Sequence, residues 1–507
     1  MNADISDSRS SYRQILKSST MVGGAQISKM IIGIISTKIA AIFLGPVGVG
    51  LISAYQAISQ LGVQLASLGV NQSSVREIAL SVGLNDQKTV GQTVSILRRM
   101  CWGLGLFGAM CLVFFSNQVS SLTFGESKYV LNVMLVSIII LFTIVGQGHL
   151  AVIQGLRHIA DLVKVQVIGS ATGALASVIL YASMGTSGIV PGLIAVSLFT
   201  FLVASYYSYR VSPGTTKISW KKFYLESKSM IGLGSAFMVG ALAASIATYV
   251  SRTLIIRDFG SSGLGMYYAA FMISGQTFNF VILAMGTDFY PRLAGVSNEK
   301  LAMNRLINEQ TEIGLLLATP AIIAILGFAP LIIQILYTSA FNDTADLLKL
   351  FVLGCYLRVI SFPMGYVQLA IGAKVWYIFS QIFFHTMHIC FIIVGTYYWG
   401  LYGAGIAFLL NYILYVFGIY LIARRLIGFT WNKNSKQLIK TQVLSVVILF
   451  ILTIILSEGA GMIVNAIFFV LITIYCLRQL LKRLGDEHQL YKIIKKMPLS
   501  KFLTGTN

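Results

Sequence analysis

Charged residues are scarce in this sequence of 507 residues. Only 11% are Asp, Glu, Lys or Arg, whereas 56% are hydrophobic, and the mean hydropathy is +0.80. Because a soluble domain carries about 25% charged residues, a soluble globular protein is excluded. Acidic residues are the scarcest charge, with 17 Asp and Glu against 37 Lys and Arg. This composition predicts an all-α polytopic membrane protein.

Cysteine is also scarce, with five residues in the whole chain. The number is odd, no C-x-x-C spacing occurs, and every cysteine lies in an apolar segment, where a thiol behaves as a small hydrophobic side chain. We expect no metal, no cofactor and no redox role. The five are Cys101, Cys111, Cys355, Cys390 and Cys476.

Runs of about 17 to 25 apolar residues are long enough to cross a membrane as helices. The sequence contains fourteen such runs, and it therefore predicts about fourteen transmembrane helices. They cover residues 18–43, 48–70, 97–116, 129–150, 163–184, 188–208, 230–256, 264–287, 312–337, 347–371, 375–398, 402–423, 440–457 and 460–479.

The basic residues predict the orientation. With a cytoplasmic N-terminus, 30 of the 37 Lys and Arg lie in or beside cytoplasmic segments and only two lie in outside loops. Such a bias sets topology, so both termini are expected in the cytoplasm. It also accounts for most of the net charge of +20 without nucleic-acid binding. The basic tail, residues 481–507, either lies on the membrane surface or is solvated.

The loops offer little room for an enzyme. Outside loops are short, and the largest inside segments, residues 71–96, 209–229 and 288–311, contain no D-x-D. A membrane glycosyltransferase, polymerase or ligase would need an acidic or basic catalytic set on a sizeable loop. We therefore expect a protein that is not an enzyme.

An internal repeat relates the two parts of the chain. FLGPVGVGLISAYQAISQLGVQLASLGVNQSSVREIA is followed 215 residues later by DFGSSGLGMYYAAFMISGQTFNFVILAMGTDFYPRLA. Three glycines are in register, which is unlikely by chance. The identical pairs are Gly45/Gly260, Gly48/Gly263, Gly50/Gly265, Ala54/Ala269, Ser59/Ser274 and Ala79/Ala294.

The repeat predicts two homologous six-helix bundles, residues 1–210 and 211–425, followed by two additional helices in residues 426–480. Six spans is an even number, so the two bundles share one orientation and are related by a pseudo-two-fold axis along the membrane normal. Proteins built this way usually hold a substrate between the halves and alternate its access to the two sides. A transporter is therefore the leading class, and a purely structural scaffold would have no reason to keep cations in its spans.

Two cations lie near the middle of predicted spans: Lys29 in the first and Arg358 in the tenth. A charge there costs roughly 2.5–3.5 kcal/mol on insertion scales, so each should face a bundle interior or an aqueous cavity. A structural hydrogen bond to a neighbouring carbonyl is the alternative. We expect both to bind substrate.

Two further cations lie nearer the outer ends of equivalent helices. Lys38 is nine residues from Lys29, half a turn round a straight helix, and it either snorkels to the interface or serves the same path. Arg252 corresponds to Thr37 in the repeat. Both are candidate substrate-binding residues.

Amides in the spans are further candidates for the polar path. Gln60 and Gln64 lie one helical turn apart, which suits cavity lining or interhelical hydrogen bonding. His385 and His388 share one helix face, but no carboxylate or third ligand is near them in the sequence, which disfavours a proton relay or a metal pair. The remaining amides are Gln26, Gln276, Asn279 and Gln368.

No acidic residue is predicted near the middle of the membrane, since Asp258, Asp288 and Glu458 fall at span ends. Cations without carboxylates favour an anion, and guanidinium and ammonium groups are the usual partners of phosphate. The residues therefore indicate an anionic, phosphorylated substrate. Proton coupling through a carboxylate is not expected.

The stretches LGPVGVGLISAYQ and GLGMYYAAFMISGQTFNFVILAMGTDFYPRLAGVSNE resemble the O-antigen translocase and lipid III flippase group of the polysaccharide transporter family. Its superfamily also holds the multidrug and toxin extrusion exporters and the lipid II flippase. The resemblance covers residues 15–425, and GTDFYPRL at 286–293 is its most specific piece. Many members have twelve spans, so the role of the last pair stays open between a lipid-side groove and packing.

The resemblance implies movement of an undecaprenyl-diphosphate-linked oligosaccharide from the cytoplasmic to the periplasmic leaflet of a bacterial inner membrane. Its partners would be that lipid, membrane lipids and, in the pathway, a polysaccharide polymerase and chain-length machinery. Two equivalent cytoplasmic segments would gate the inner face, with Arg76, Glu77, Asp288 and Arg292 as gate residues. The alternative is a drug or cation exporter of the same fold, which would be expected to have an acidic cavity.

Overall fold

The computed structural model describes residues 2–84, 86–212, 214, 218–456 and 458–484. Among them, side chains are described except at 2–22, 233, 235–237, 277, 279–288, 458–460 and 484. No β-strand occurs in this described part of the chain. The all-α class predicted from composition is confirmed.

Fifteen α-helices follow one another along the described residues. Short connections between them include one-turn 3₁₀ segments at Ser127–Tyr129, Gly185–Gly188 and Ser339–Phe341. The helices are α1 Asn2–Ser67, α2 Val70–Gly83, α3 Gln87–Phe114, α4 Ser116–Phe124, α5 Val130–Gly155, α6 Ile159–Met184, α7 Ile189–Val211, α8 Trp220–Gly295, α9 Lys300–Gly327, α10 Ala329–Leu336, α11 Thr344–Ala370, α12 Lys374–Trp399, α13 Tyr402–Ile427, α14 Lys433–Ile455 and α15 Glu458–Leu484.

Two of these helices are broken at repeat-equivalent glycines. Gly45 in α1 has φ 60° and Gly260 in α8 has φ 68°, values outside helical geometry. A positive φ is strained for residues with a Cβ, and this explains why glycine stands at both positions. Each long helix therefore contains two segments that meet at a sharp break.

Eleven ranges of the described residues are long and apolar enough to cross a membrane. Three of them hold two helical segments each: Gly23–Ser67 and Met238–Gln276 are broken at the two glycines, and Ile159–Val211 contains α6 and α7. Counted separately, these segments bring the number to the fourteen that the sequence predicts. The chain is a multi-pass membrane protein.

The internal repeat is visible in the order of the helices. The series α3 to α7 reappears as α9 to α13, and each helix begins 213–215 residues before its counterpart. Even the short helix that follows the first member of each series is repeated, as α4 and α10. Two homologous halves, followed by α14 and α15, are confirmed.

The chain forms two compact units, counting only the described residues. The first comprises Met1–Tyr268 with Leu336–Ala340, and the second comprises Ala269–Ile335 with Phe341–Asn507. The predicted domain limits at residues 210, 425 and 480 stay predictions. Of the predicted tail, residues 481–484 end α15, and the rest lies outside the described residues.

Each unit has its own apolar core. In the first, α1, α5, α6 and α7 pack around side chains such as Tyr55, Val136 and Tyr181. In the second, the core near the ends of α8, α9, α11 and α13 includes Leu293, Met364 and Phe429. The polar groups described next lie on the helices of these bundles.

Candidate functional site

Arg358 lies midway along α11 and its side chain is exposed. Its guanidinium carbon stands 3.9 Å from the ring centre of Phe278 and 6.0 Å from that of Tyr412. No described residue accepts a hydrogen bond from it, although a guanidinium has five N–H donors. A cation held by aromatic faces with its donors free can bind an anion.

Arg358 lines a cavity of about 280 Å³ between α11, α12 and α13. The wall is largely aromatic, and polar side chains from all three helices reach it. Asn411 is one of them: its side chain is buried, and its Oδ1 has no hydrogen-bond partner among the described residues. The full lining is Arg358, Ser361, Phe362, Gly365, Tyr366, Leu369, Tyr377, Ser380, Gln381, Phe384, His385, Asn411, Tyr412 and Tyr415.

The first half contains a corresponding cavity of about 340 Å³, lined by the second segment of α1 and by α5 and α7. Seven of its lining residues occupy positions 215 residues before lining residues of the Arg358 cavity, so the two cavities are repeat-equivalent. The pairs are Thr143/Arg358, Gly146/Ser361, Gln147/Phe362, Leu150/Gly365, Val196/Asn411, Ser197/Tyr412 and Thr200/Tyr415. No Lys or Arg is among the described residues that line the first-half cavity.

Lys29 lies in the first segment of α1, in the first unit, with an exposed side chain. Within the described part of the chain, no atom accepts a hydrogen bond from its ammonium group. Gln26, one turn earlier, is also exposed. Lys29 is therefore free to meet an anion, and its predicted binding role stays a prediction.

Lys38 and Arg252 are bonded to backbone instead. The Lys38 Nζ donates to the carbonyl oxygen of Tyr337. Arg252 is only 7% exposed, and its Nη1 donates to the carbonyl oxygen of Ser53 at 2.8 Å. A hydrogen bond to a backbone carbonyl is the alternative that the sequence offers for Lys29 and Arg358, and here Lys38 and Arg252 make one. The predicted substrate-binding role of Lys38 and Arg252 stays a prediction.

Arg252 also belongs to a polar chain inside the first unit. Its guanidinium carbon lies 5.1 Å from the ring centre of Tyr268, whose hydroxyl donates to Gln56 Oε1 at 2.8 Å. This chain links α8 to the second segment of α1. It satisfies groups that would otherwise be buried without partners.

The remaining candidate residues are spread along the helices. Gln60 is exposed, and Gln64 and Gln276 are half-buried; Gln368 is buried and accepts a hydrogen bond from Ser380 Oγ at 3.0 Å. The side chain of Asn279 lies outside the described residues. His385 lines the Arg358 cavity, whereas His388 packs against Phe408 with 6.0 Å between ring centres.

Three of the four predicted gate residues have described side chains. Arg76 and Glu77 in α2 form an exposed ion pair with 3.2 Å between Nη1 and Oε1. Arg292 is exposed near the end of α8, and the side chain of Asp288 lies outside the described residues. Their gating role stays a prediction.

Sequence reasoning missed the Arg358 cavity apart from its cation and its histidine. Asn411, Tyr412 and Tyr415 lie in an apolar span that drew no attention as a binding element. The repeat register was the available signal, because it pairs these three with Val196, Ser197 and Thr200. Where one half has a polar or aromatic residue and the equivalent position of the other half has a small or aliphatic one, the two halves have diverged.

Several known proteins are similar to this chain in sequence or in structure. The lipid III flippase of Escherichia coli (strain K12) is 23% identical over 424 residues, which are 81% of this chain and 99% of that protein. The lipid II flippase MurJ in an inward closed conformation superposes with a TM-score of 0.70 at 14% identity, covering 91% of this chain and 99% of that one.

An inward-facing multidrug resistance MATE family transporter of the MOP superfamily has the same fold. It superposes with a TM-score of 0.65 at 16% identity and covers 79% of this chain and 94% of that one. The family model described as polysaccharide biosynthesis protein matches residues 39–346. This match spans more than half of the 507 residues, and the chain belongs to the polysaccharide biosynthesis protein family.

Proposed function

We propose that the protein is a transporter that moves a lipid-linked oligosaccharide, joined to its lipid by a diphosphate, between the leaflets of the membrane. The observation that carries the proposal is Arg358, an exposed guanidinium midway along a membrane-spanning helix with no hydrogen-bond acceptor among the described residues. A charge within a membrane span costs free energy, and charge-assisted hydrogen bonds to a diphosphate would offset that cost.

The sequence supports the finer details. The resemblance to O-antigen translocases and the similarity to the lipid III flippase of Escherichia coli favour undecaprenyl diphosphate as the carrier. The bias of 30 basic residues to one side favours cytoplasmic termini in a bacterial inner membrane. Movement from the cytoplasmic to the periplasmic leaflet would then supply a polymerase and its chain-length machinery on the far side.

Alternating access between the halves is the proposed mechanism. Arg358 in the second unit and Lys29 in the first each bind the diphosphate at a stage of its passage, the sugars occupy polar space, and the polyprenyl tail stays in lipid because its transfer into a polar cavity would be unfavourable. The cations neutralise the headgroup while it is away from water. No covalent bond needs to form or break, so no catalytic residue is assigned.

A drug or cation exporter of the same fold is the second candidate, favoured only by the fold shared with the MATE transporter. A cationic drug would be repelled by Arg358 at short range. The Arg358 cavity has no Asp or Glu among its described lining residues to offset that charge. The anionic substrate is therefore the better fit.

The test uses proteoliposomes that contain a fluorescent undecaprenyl-diphosphate oligosaccharide whose outer-leaflet fraction is quenched from outside. Wild type, Arg358→Gln and Lys29→Gln are compared with Lys374→Gln, which removes an exposed cation at the start of α12. A hydrogen bond to a charged group contributes about 1.5–3 kcal/mol, so the first two variants should slow flipping about 10- to 100-fold. An unchanged flipping rate in both of these variants would show that neither cation is needed for transport.

A further inference from the structure

We propose that the Arg358 cavity is a binding site for a single sugar ring, the one attached directly to the diphosphate. Its repeat-equivalent cavity in the first half is not such a site. The inference rests on the proposed function, because it names the part of the substrate that this cavity recognises. It assigns roles to Asn411, Tyr412 and Tyr415.

The aromatic wall suits one face of a sugar. Phe384 lies 4.7 Å from Tyr415, and Tyr412 lies 6.0 Å from Tyr415, between ring centres. A pyranose carries C–H groups on its faces, and these carry slight positive charge that favours the electron-rich face of an aromatic ring. The ring planes are inclined at 71° in both pairs, so one ring can meet the sugar face while its neighbours bound the side of the sugar, and none of them demands one orientation of its hydroxyls.

The polar atoms suit the edge of the same ring. Asn411 is 9% exposed, and its Oδ1 is buried without a hydrogen-bond partner among the described residues. A buried acceptor normally finds a donor, and a sugar hydroxyl can supply one. Gln381 and His385 reach the same cavity from α12, and so donors and acceptors surround the space.

The position of Arg358 selects which sugar is bound. Because it lines the same cavity as Asn411 and Tyr412, a diphosphate on its guanidinium leaves the covalently attached ring beside them. The volume of about 280 Å³ is near the lower end of ligand pockets, which hold about 300–1,000 Å³. One ring fits, and the rest of the oligosaccharide must lie elsewhere.

The first-half cavity supplies the contrast within the same chain. Where the second half has Asn411, Tyr412 and Tyr415, the first has Val196, Ser197 and Thr200, and Thr143 stands in place of Arg358. At these positions the first-half cavity therefore lacks the cation, the two tyrosines and the buried amide, and its described amides, Gln56 and Gln147, stand elsewhere in the lining. Recognition of the headgroup is asymmetric although the fold is repeated.

The experiment measures a ratio of two flipping rates in proteoliposomes. The probes are bare undecaprenyl diphosphate and undecaprenyl diphosphate carrying one glucose, galactose or N-acetylglucosamine, and the sugar that wild type moves fastest is used. Asn411→Val and Tyr412→Ser install the first-half residues. We expect each to lower the ratio of sugar-bearing to bare lipid at least about tenfold.

Two further variants separate recognition from folding. Tyr412→Phe keeps the ring and should retain most of the ratio, and Ser197→Ala, in the first-half cavity, should leave it at the wild-type value. Size-exclusion profiles and thermal unfolding verify that each variant is folded. A Tyr412→Phe ratio as low as that of Tyr412→Ser would overturn stacking on the ring.

The outcomes distinguish this proposal from the broader one. If wild type moves both lipids and the two second-half variants keep the wild-type ratio, the sugar site is wrong and the flippase stands. If wild type moves sugar-bearing and bare lipid equally fast, the sugar site is again wrong. If wild type moves neither lipid, both the proposed function and the sugar site are wrong.

Discussion

Gly50 and Gly265, equivalent positions of the internal repeat, lie against each other in the first unit. A Cβ on Gly50 would stand 2.9 Å from the Gly265 nitrogen, and a Cβ on Gly265 would stand 3.1 Å from the Gly50 nitrogen. Each would also overlap a carbonyl oxygen, that of Ser261 for Gly50 and that of Pro46 for Gly265, and these two are themselves repeat-equivalent. The contact is reciprocal, as a local two-fold relation requires.

This contact predicts that alanine is not tolerated at either position. Gly50→Ala and Gly265→Ala force backbone apart, and overpacking of this kind costs about 1–3 kcal/mol. The thermal midpoint of purified protein in detergent, followed by tryptophan fluorescence, should therefore fall. Gly103→Ala is the matched control, because nothing lies within 4 Å of its added Cβ. A midpoint for Gly50→Ala equal to that of the control would disprove the close packing.

A second prediction concerns the attachment of the last two helices. Glu312 of α9 is 8% exposed; its Oε2 accepts a hydrogen bond from Arg483 Nε of α15 at 2.8 Å, and its Oε1 accepts one from Ser435 Oγ of α14 at 2.7 Å. Arg483→Ala leaves a buried carboxylate without its cation. We expect a loss of about 1.5–3 kcal/mol of unfolding free energy, since the Arg483 side chain is partly solvated.

The control for that prediction is a double variant. Glu312→Gln with Arg483→Ala removes both charges and should recover part of the lost thermal stability, because the buried carboxylate no longer lacks a partner. Lys482→Ala, an exposed neighbour, should change nothing. A double variant less stable than Arg483→Ala alone would show that the ion pair is not what attaches α15 to α9.

A third prediction compares Arg252, which is hydrogen-bonded to backbone, with Arg358, which is exposed. Arg252 donates to the Ser53 carbonyl and stacks near Tyr268, so Arg252→Ala should lower the thermal midpoint, because it removes a charge-assisted hydrogen bond between α8 and α1 that contributes about 1.5–3 kcal/mol. Arg358→Ala breaks no hydrogen bond to any described residue and should lower it far less. The comparison uses unfolding curves of both variants without substrate, and equal losses would contradict the difference in their surroundings.

The sequence predicted the membrane-spanning helices and their repeat because residues close together in the chain determine each helix. Apolar runs of span length, interrupted by polar segments, predicted fourteen helices. Gly45 and Gly260 fall in two of the gaps between these runs, and the structure breaks α1 and α8 there, where a positive φ selects glycine. Lys29 and Arg358 stood out because a charge in an apolar run is visible without any structure.

The site could not be predicted to the same degree. Whether Arg252 would meet a carbonyl or a cavity depends on Ser53, 199 positions away in the chain. The Arg358 cavity joins three helices, and its tyrosines look like ordinary apolar content in each helix taken alone. Glu312 likewise finds its cation in the last helix, 171 positions on. Such partners become neighbours only through packing.

The last prediction moves the cation between the halves. Arg358→Thr combined with Thr143→Arg places the guanidinium at the repeat-equivalent position of the first-half cavity. If charge alone recruited the headgroup, this exchange would restore flipping of the sugar-bearing lipid. Asn411, Tyr412 and Tyr415 remain in the second half. We therefore expect the exchanged protein to flip the sugar-bearing lipid at least about tenfold more slowly than wild type, at the rate of Arg358→Thr alone.

Thr143→Arg by itself is the control, since its thermal midpoint and its flipping rate show whether the first-half cavity accepts an arginine. Recovery of the wild-type rate in the exchanged protein would mean that the two cavities are interchangeable and that the aromatic wall adds nothing to recognition.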